Sequence, residues 1–331
     1  MKIDTFKILI CFICCTFNLL AQSKKAEDYG FRHLQLCYQT DSVSILIKSK
    51  EGEENKPKPL FLFCQGSLPQ PLIKYDEQGV YGVFPFNPDS LIMDYHLVIV
   101  SKPFIPLIAE RKSLRGDFSY VDAAGKFPIK YSERNWLDYY VNRNKEVIEF
   151  LQKQKWVLKN RLVVAGHSEG STIAAKLALA CSRVTHLIYS GGNPCGRIVS
   201  MIEEGRSVET EQAPYGEEFF KYWADVVDHP ADMNGTDGDT YKATYSFSYP
   251  PKDYLEKLTI PVLICYGAKD RSAPFNDYFR ADMIRKKKSN FNFKTYIGTE
   301  HNYFPLLASG QIDYERCNWD NVAIDWYRWL R

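Results

Sequence analysis

The chain has 331 residues, 45% apolar and 25% charged, with 19 Gly and 17 Pro, a balance that excludes collagen-like, low-complexity and disordered chains. Its 42 Lys and Arg against 40 Asp and Glu leave a net charge of +2, far from the basic surface that a nucleic-acid binder needs, so nucleic acid is not an expected partner. Length alone allows two domains, or one α/β domain carrying an insertion.

The N-terminus reads as an export signal. Lys2 and Lys7 precede an apolar run from Ile8 to Leu20, and Ala21-Gln22-Ser23 supplies small residues for cleavage. The run is shorter than the roughly 20 residues that span a bilayer, so residues 1–23 are expected to be removed. No later segment is apolar for long enough to cross a membrane, which predicts a soluble mature chain, periplasmic or extracellular. Six cysteines remain after that cleavage: Cys37, Cys64, Cys181, Cys195, Cys265 and Cys317. Export permits disulfides, but Cys64 and Cys265 lie in apolar runs where a free thiol packs as a small hydrophobe, and a complete disulfide framework is not inferred. No pair has CxxC spacing, which disfavours a zinc site, and no cofactor is expected.

Along the chain, Ser42 to Ser49 reads as a strand, followed by a polar loop, Glu51 to Pro59, whose expected form is a surface hairpin. Pro59 to Cys64 and His96 to Val100 are continuous apolar runs, the pattern of strands covered on both faces. Glu133 to Trp156 has helical spacing, and Arg161 to Ala165 is a buried strand. A small-residue helix from Ser168 to Cys181 follows, then strands at His186 to Tyr189 and Ile260 to Tyr266. A helix near Pro274 to Lys286, a strand at Phe291 to Ile297 and a last helix near Trp319 to Leu330 complete the series. Alternating strand and helix predicts a doubly wound α/β fold with a mostly parallel sheet. The rhythm breaks at residues 196–250, which hold 11 acidic residues, 4 basic ones and nine aromatics, and which predict an inserted lid subdomain whose aromatics mostly form its own core.

Gly166-His167-Ser168-Glu169-Gly170 matches G-x-S-x-G between a buried strand and a helix. At this composition roughly 0.07 such matches are expected by chance, before the strand and helix are demanded. The glycines are needed because the serine sits on a tight turn where neighbouring Cβ atoms would meet backbone. A serine hydroxyl needs a base, and the base needs an orienting group. Asp270 follows the carboxyl end of the strand at Ile260 to Tyr266, and His301 follows the end of the next strand. Asp270 could also cap the following helix. Asp277 and Glu300 compete weakly for its part, the first lying inside a helix and the second expected to point away from His301. His33, His96, His167, His186 and His229 fit the base position less well.

These residues, in the chain order Ser, Asp, His, resemble the α/β-hydrolase superfamily over about residues 30–331, on its esterase, dienelactone-hydrolase-like and prolyl-oligopeptidase-like branch. The resemblance implies a Ser168–His301–Asp270 triad that transfers an acyl group to water through an acyl-enzyme. It also implies an oxyanion hole from the backbone N–H groups of Ser67 and Glu169, with Gly66 allowing close approach, although relatives usually carry His-Gly where this chain has Gln65-Gly66. The absent His-Gly-Gly and propeller domain favour a small-molecule carboxylic ester over a peptide-like acyl substrate. The alternatives are a secreted peptidase or acyltransferase with the same triad, and a non-catalytic binding protein on the same scaffold.

Overall fold

The continuous apolar runs become the centre of one sheet. The computed structural model describes residues 24–236 and 239–331, so the export signal lies outside the described residues. Eight strands are β1 (Arg32–Tyr38), β2 (Asp41–Lys48), β3 (Lys58–Cys64), β4 (His96–Val100), β5 (Val157–His167), β6 (His186–Ser190), β7 (Val262–Gly267) and β8 (Phe291–Tyr296). They lie in the order β1-β2-β4-β3-β5-β6-β7-β8. β2 runs antiparallel to β1 and β4, and every other neighbouring pair is parallel.

Side chains alternate across the sheet. Leu60, Leu62 and Cys64 face a core shared with the helices α1 (Leu137–Leu151) and α2 (Glu169–Ala180). Phe61 and Phe63 face the opposite core, where Trp319, Val322 and Trp326 of the C-terminal helix α7 (Trp319–Leu330) cover the sheet. Each of these large apolar side chains contributes roughly 1.5–3 kcal/mol when buried. The edge strand β8 exposes Asn292 and Lys294 while Phe293 and Thr295 between and beside them are half-buried, as a partly wet face requires.

Three expectations change. β2 and β3 are not hairpin partners, because β4 lies between them; the hairpin partner of β2 is β1, through a turn that holds Gln39 at φ 55°. The helical stretch from Glu133 to Trp156 is two pieces, Ile129–Arg134 and α1. The break comes at Asn135 and at Trp136, whose extended backbone (φ −150°, ψ 154°) turns the chain. β5 starts at Val157, four residues earlier than the expected strand, because the exposed Leu158 to Asn160 that follow it break the apolar run and only the second half of the strand is continuously covered.

Residues 196–250 fold as α3 (Arg197–Val208), α4 (Tyr215–Asp228) and α5 (Tyr241–Ser248). Their aromatics pair more than they bury: Trp223 stacks on Tyr245 and Tyr222 meets Tyr241 edge-on, while only Phe247 is fully buried. The expected aromatic core of this segment is therefore not formed.

Candidate active site

Ser168 sits between β5 and α2 at φ 57°, ψ −128°, a backbone conformation that costs a non-glycine residue about 1–3 kcal/mol. The surroundings show why its neighbours are glycines. A Cβ on Gly166 would stand 2.0 Å from Gly170 O, and one on Gly170 would stand 2.0 Å from Cys64 O. Gly66, in the loop after β3, brings its backbone close enough that a Cβ there would lie 3.6 Å from Ser168 Cβ. The elbow and that loop are thus in direct contact.

Asp270 lies three residues beyond β7, ahead of α6 (Ala273–Arg285), and His301 lies five residues beyond β8. Asp270 Oδ2 is 2.9 Å from His301 Nδ1, and Asp270 Oδ1 accepts from Ser272 N–H at 2.9 Å. One carboxylate therefore both orients the imidazole and braces the start of α6, each with a different oxygen. Its side chain is 5% exposed, whereas that of His301 is 37% exposed and opens to the cleft. Burial pushes the Asp270 pKa up, but the bond and charge of His301 and the Ser272 contacts outweigh it and hold it below the ordinary value. Burial likewise pulls His301 down, and Asp270, helped by Glu300, overrides it and raises His301 above 6.5.

A cleft of about 700 Å³ is lined by Ser168, Asp270, His301, Ser67 and Glu169 together. Gln65 Nε2 donates to Val100 O at 2.8 Å and the Tyr131 hydroxyl donates to Ser67 O at 3.0 Å, which fixes the loop on both sides of Gly66. Of the competing carboxylates, Asp277 accepts from the Tyr266 hydroxyl at 2.5 Å, and Glu300 accepts from the N–H groups of Asn302 and Phe304 within its own turn.

The Glu169 side chain is buried in an ion cluster. Lys102 Nζ is 3.2 Å from Glu169 Oε1, Arg197 binds the other oxygen, and Arg197 also meets Asp239 at 2.7 Å. Arg197 opens α3, so this cluster joins the elbow to the inserted segment. Sequence reasoning passed over it, and passed over His167, because neither Lys102 nor His167 stands in a motif position that demands its residue type. Among the described residues no group of three His, Cys, Asp or Glu could hold a metal ion, no helix is long and apolar enough to cross a membrane, and the six cysteines are unpaired.

The strand order, the antiparallel second strand and the serine at a strained strand-to-helix turn define the α/β-hydrolase fold. Solved structures agree. Est1E from Butyrivibrio proteoclasticus is similar at TM-score 0.50 and 13% identity, over 90% of this chain and 97% of that one. Acetyl xylan esterase 1 from Thermoanaerobacterium sp. is similar at TM-score 0.50 and 13% identity, over 91% and 83%. A dipeptidyl aminopeptidase IV homologue from Bacteroides ovatus is similar at TM-score 0.55 and 11% identity, over 90% of this chain but 35% of its own length. The chain also spans 62% of the 2,6-dihydroxy-pseudo-oxynicotine hydrolase that it resembles. No family model and no curated protein sequence matches the chain.

Proposed function

We propose that this chain is an exported serine hydrolase that cleaves carboxylic esters. The observation that carries the reading is the strained Ser168 at the cleft shared with the Asp270–His301 pair. With Nδ1 held by Asp270, His301 keeps Nε2 for the Ser168 hydroxyl. His301 takes that proton as Ser168 attacks the acyl carbon, and returns it to the departing alcohol. The N–H groups of Ser67 and Glu169 receive the developing oxyanion, and water then releases the acyl group by the same steps reversed.

Two features favour an uncharged ester. The cleft lining holds five carboxylates, Glu169, Glu204, Asp239, Asp270 and Glu300, against three basic side chains, Arg197, Lys269 and Arg271, a balance that disfavours an acidic substrate. Phe219, Phe247, Met201 and Ile312 supply an apolar lining for an acyl or alcohol group. A panel of p-nitrophenyl esters of rising chain length beside aminoacyl p-nitroanilides tests the choice. Ester turnover with little anilide turnover supports it, and the reverse makes the chain a peptidase. Export rests on residues 1–23, and deletion of residues 2–20 is expected to leave the protein in the cytoplasm; unchanged export contradicts it.

A further inference from the structure

His167, the residue before the nucleophile, is hydrogen-bonded to the residue after the base. Its Nε2 is 3.3 Å from Asn302 Oδ1, and its ring centroid is 4.9 Å from that of His301. We infer that His167 is a positioning residue, a brace between the elbow and the His301 turn that sets the separation of Ser168 and His301. This rests on the triad reading proposed above.

The surroundings leave the ring little freedom. It packs edge-on to Trp319 at 4.7 Å and against Tyr303 at 5.6 Å, and a Cβ on Gly191 would stand 2.5 Å from its Cε1. Its Nδ1 is 3.1 Å from Ser190 Oγ, which is 2.6 Å from the Tyr303 hydroxyl. A proton on Nε2 lets His167 donate to Asn302 Oδ1 and accept at Nδ1 from Ser190, which in turn accepts from Tyr303, whose single hydroxyl proton is shared between Ser190 Oγ and Cys265 O at 3.2 Å. Burial and the neighbouring His301 drive the His167 pKa down to about 3, so the ring stays neutral and serves as donor and acceptor at once.

The C-terminal side of the base-carrying turn is tied to this series at two consecutive residues. Asn302 and Tyr303 directly follow His301, and Tyr303 holds a left-handed φ of 63° that its buried hydroxyl contacts maintain. The outer side of the turn is held separately by Glu300. Removal of the brace frees the His301 backbone on its inner side, and a displacement near 1 Å can lower a rate about a hundredfold.

The test compares His167→Phe, Asn302→Ala and the double variant with wild type, using p-nitrophenyl acetate as substrate and a fluorophosphonate as probe. His167→Phe keeps the ring against Trp319 and loses both hydrogen bonds; Asn302 is exposed, so Asn302→Ala folds even if His167→Phe does not. Each single variant is expected to lower kcat by about 10- to 100-fold with KM nearly unchanged, and the double variant by no more than the worse single one. Full kcat in Asn302→Ala, or losses that multiply in the double variant, overturns the brace. Failure of the triad reading is distinct, because the fluorophosphonate then leaves wild-type Ser168 unlabelled.

Discussion

Asp270 Oδ2 stands 2.9 Å from His301 Nδ1 while the other carboxylate oxygen is engaged by Ser272 N–H, so the imidazole is oriented by a group that cannot itself swing away. Asp270→Asn preserves the shape and removes the charge. The amide is expected to lower kcat by about a thousandfold or more. The sign of the accompanying pH shift follows from the causes. Burial alone lowers the His301 pKa, and Asp270 raises it above 6.5. Wild-type kcat/KM should therefore rise with pH through a midpoint above 6.5, and the residual activity of the variant through a lower one. A pH profile of both proteins checks this.

The turn glycines differ in what a methyl group would meet. Gly170→Ala drives a Cβ to 2.0 Å from Cys64 O and 2.6 Å from Gln65 O, both backbone atoms that cannot give way. It is expected to destabilise by at least about 3 kcal/mol, or to prevent folding. Gly298→Ala meets nothing within 4 Å and carries only the strain of φ 77°, about 1–2 kcal/mol. Denaturant melts of the two variants measure the difference.

Lys102 and Glu169 face each other at 3.2 Å with side chains 1% and 4% exposed. Glu169→Gln strands the lysine and weakens the hold on Arg197, with an expected loss of about 3–5 kcal/mol. Lys102→Met in the same chain removes the stranded charge and should restore much of it. A double-mutant cycle in urea reads the coupling.

Acid should weaken the fold through His167. Its folded pKa, about 3, is lower than that of the unfolded chain near 6.5, so the unfolded state binds the proton that the folded state refuses. This stability is complete above pH 6.5 and is lost as pH falls toward 3, amounting to roughly 2 kcal/mol by pH 5. His301, raised when folded, acts oppositely: it adds stability below 6.5 that disappears as pH rises through its folded value. His167→Phe should flatten the acid slope of stability between pH 6.5 and 5, which melts at fixed ionic strength record.

The strands β3, β4 and β7 are legible in the sequence because burial on both faces leaves an unbroken apolar run. β1 is not: Arg32–Tyr38 is a half-exposed edge strand with mixed residues, and its turn at Gln39 lacks the glycine or asparagine that signals a hairpin. The helix break at Asn135–Trp136 is hidden because apolar spacing runs straight through it. Of the candidate site, Ser168, Asp270 and His301 stand out in the sequence at a turn motif and two strand ends, and the structure brings all three to one cleft. The His167–Asn302 bond joins residues 135 apart in the sequence and leaves no periodic trace.

The most direct test is mass-spectrometric mapping of a fluorophosphonate adduct on the folded protein. The account predicts one stoichiometric adduct on the peptide carrying Ser168, absent from Ser168→Ala and formed far more slowly in His301→Ala. A well-folded wild type with no adduct, or one whose adduct persists at another residue in Ser168→Ala, contradicts it.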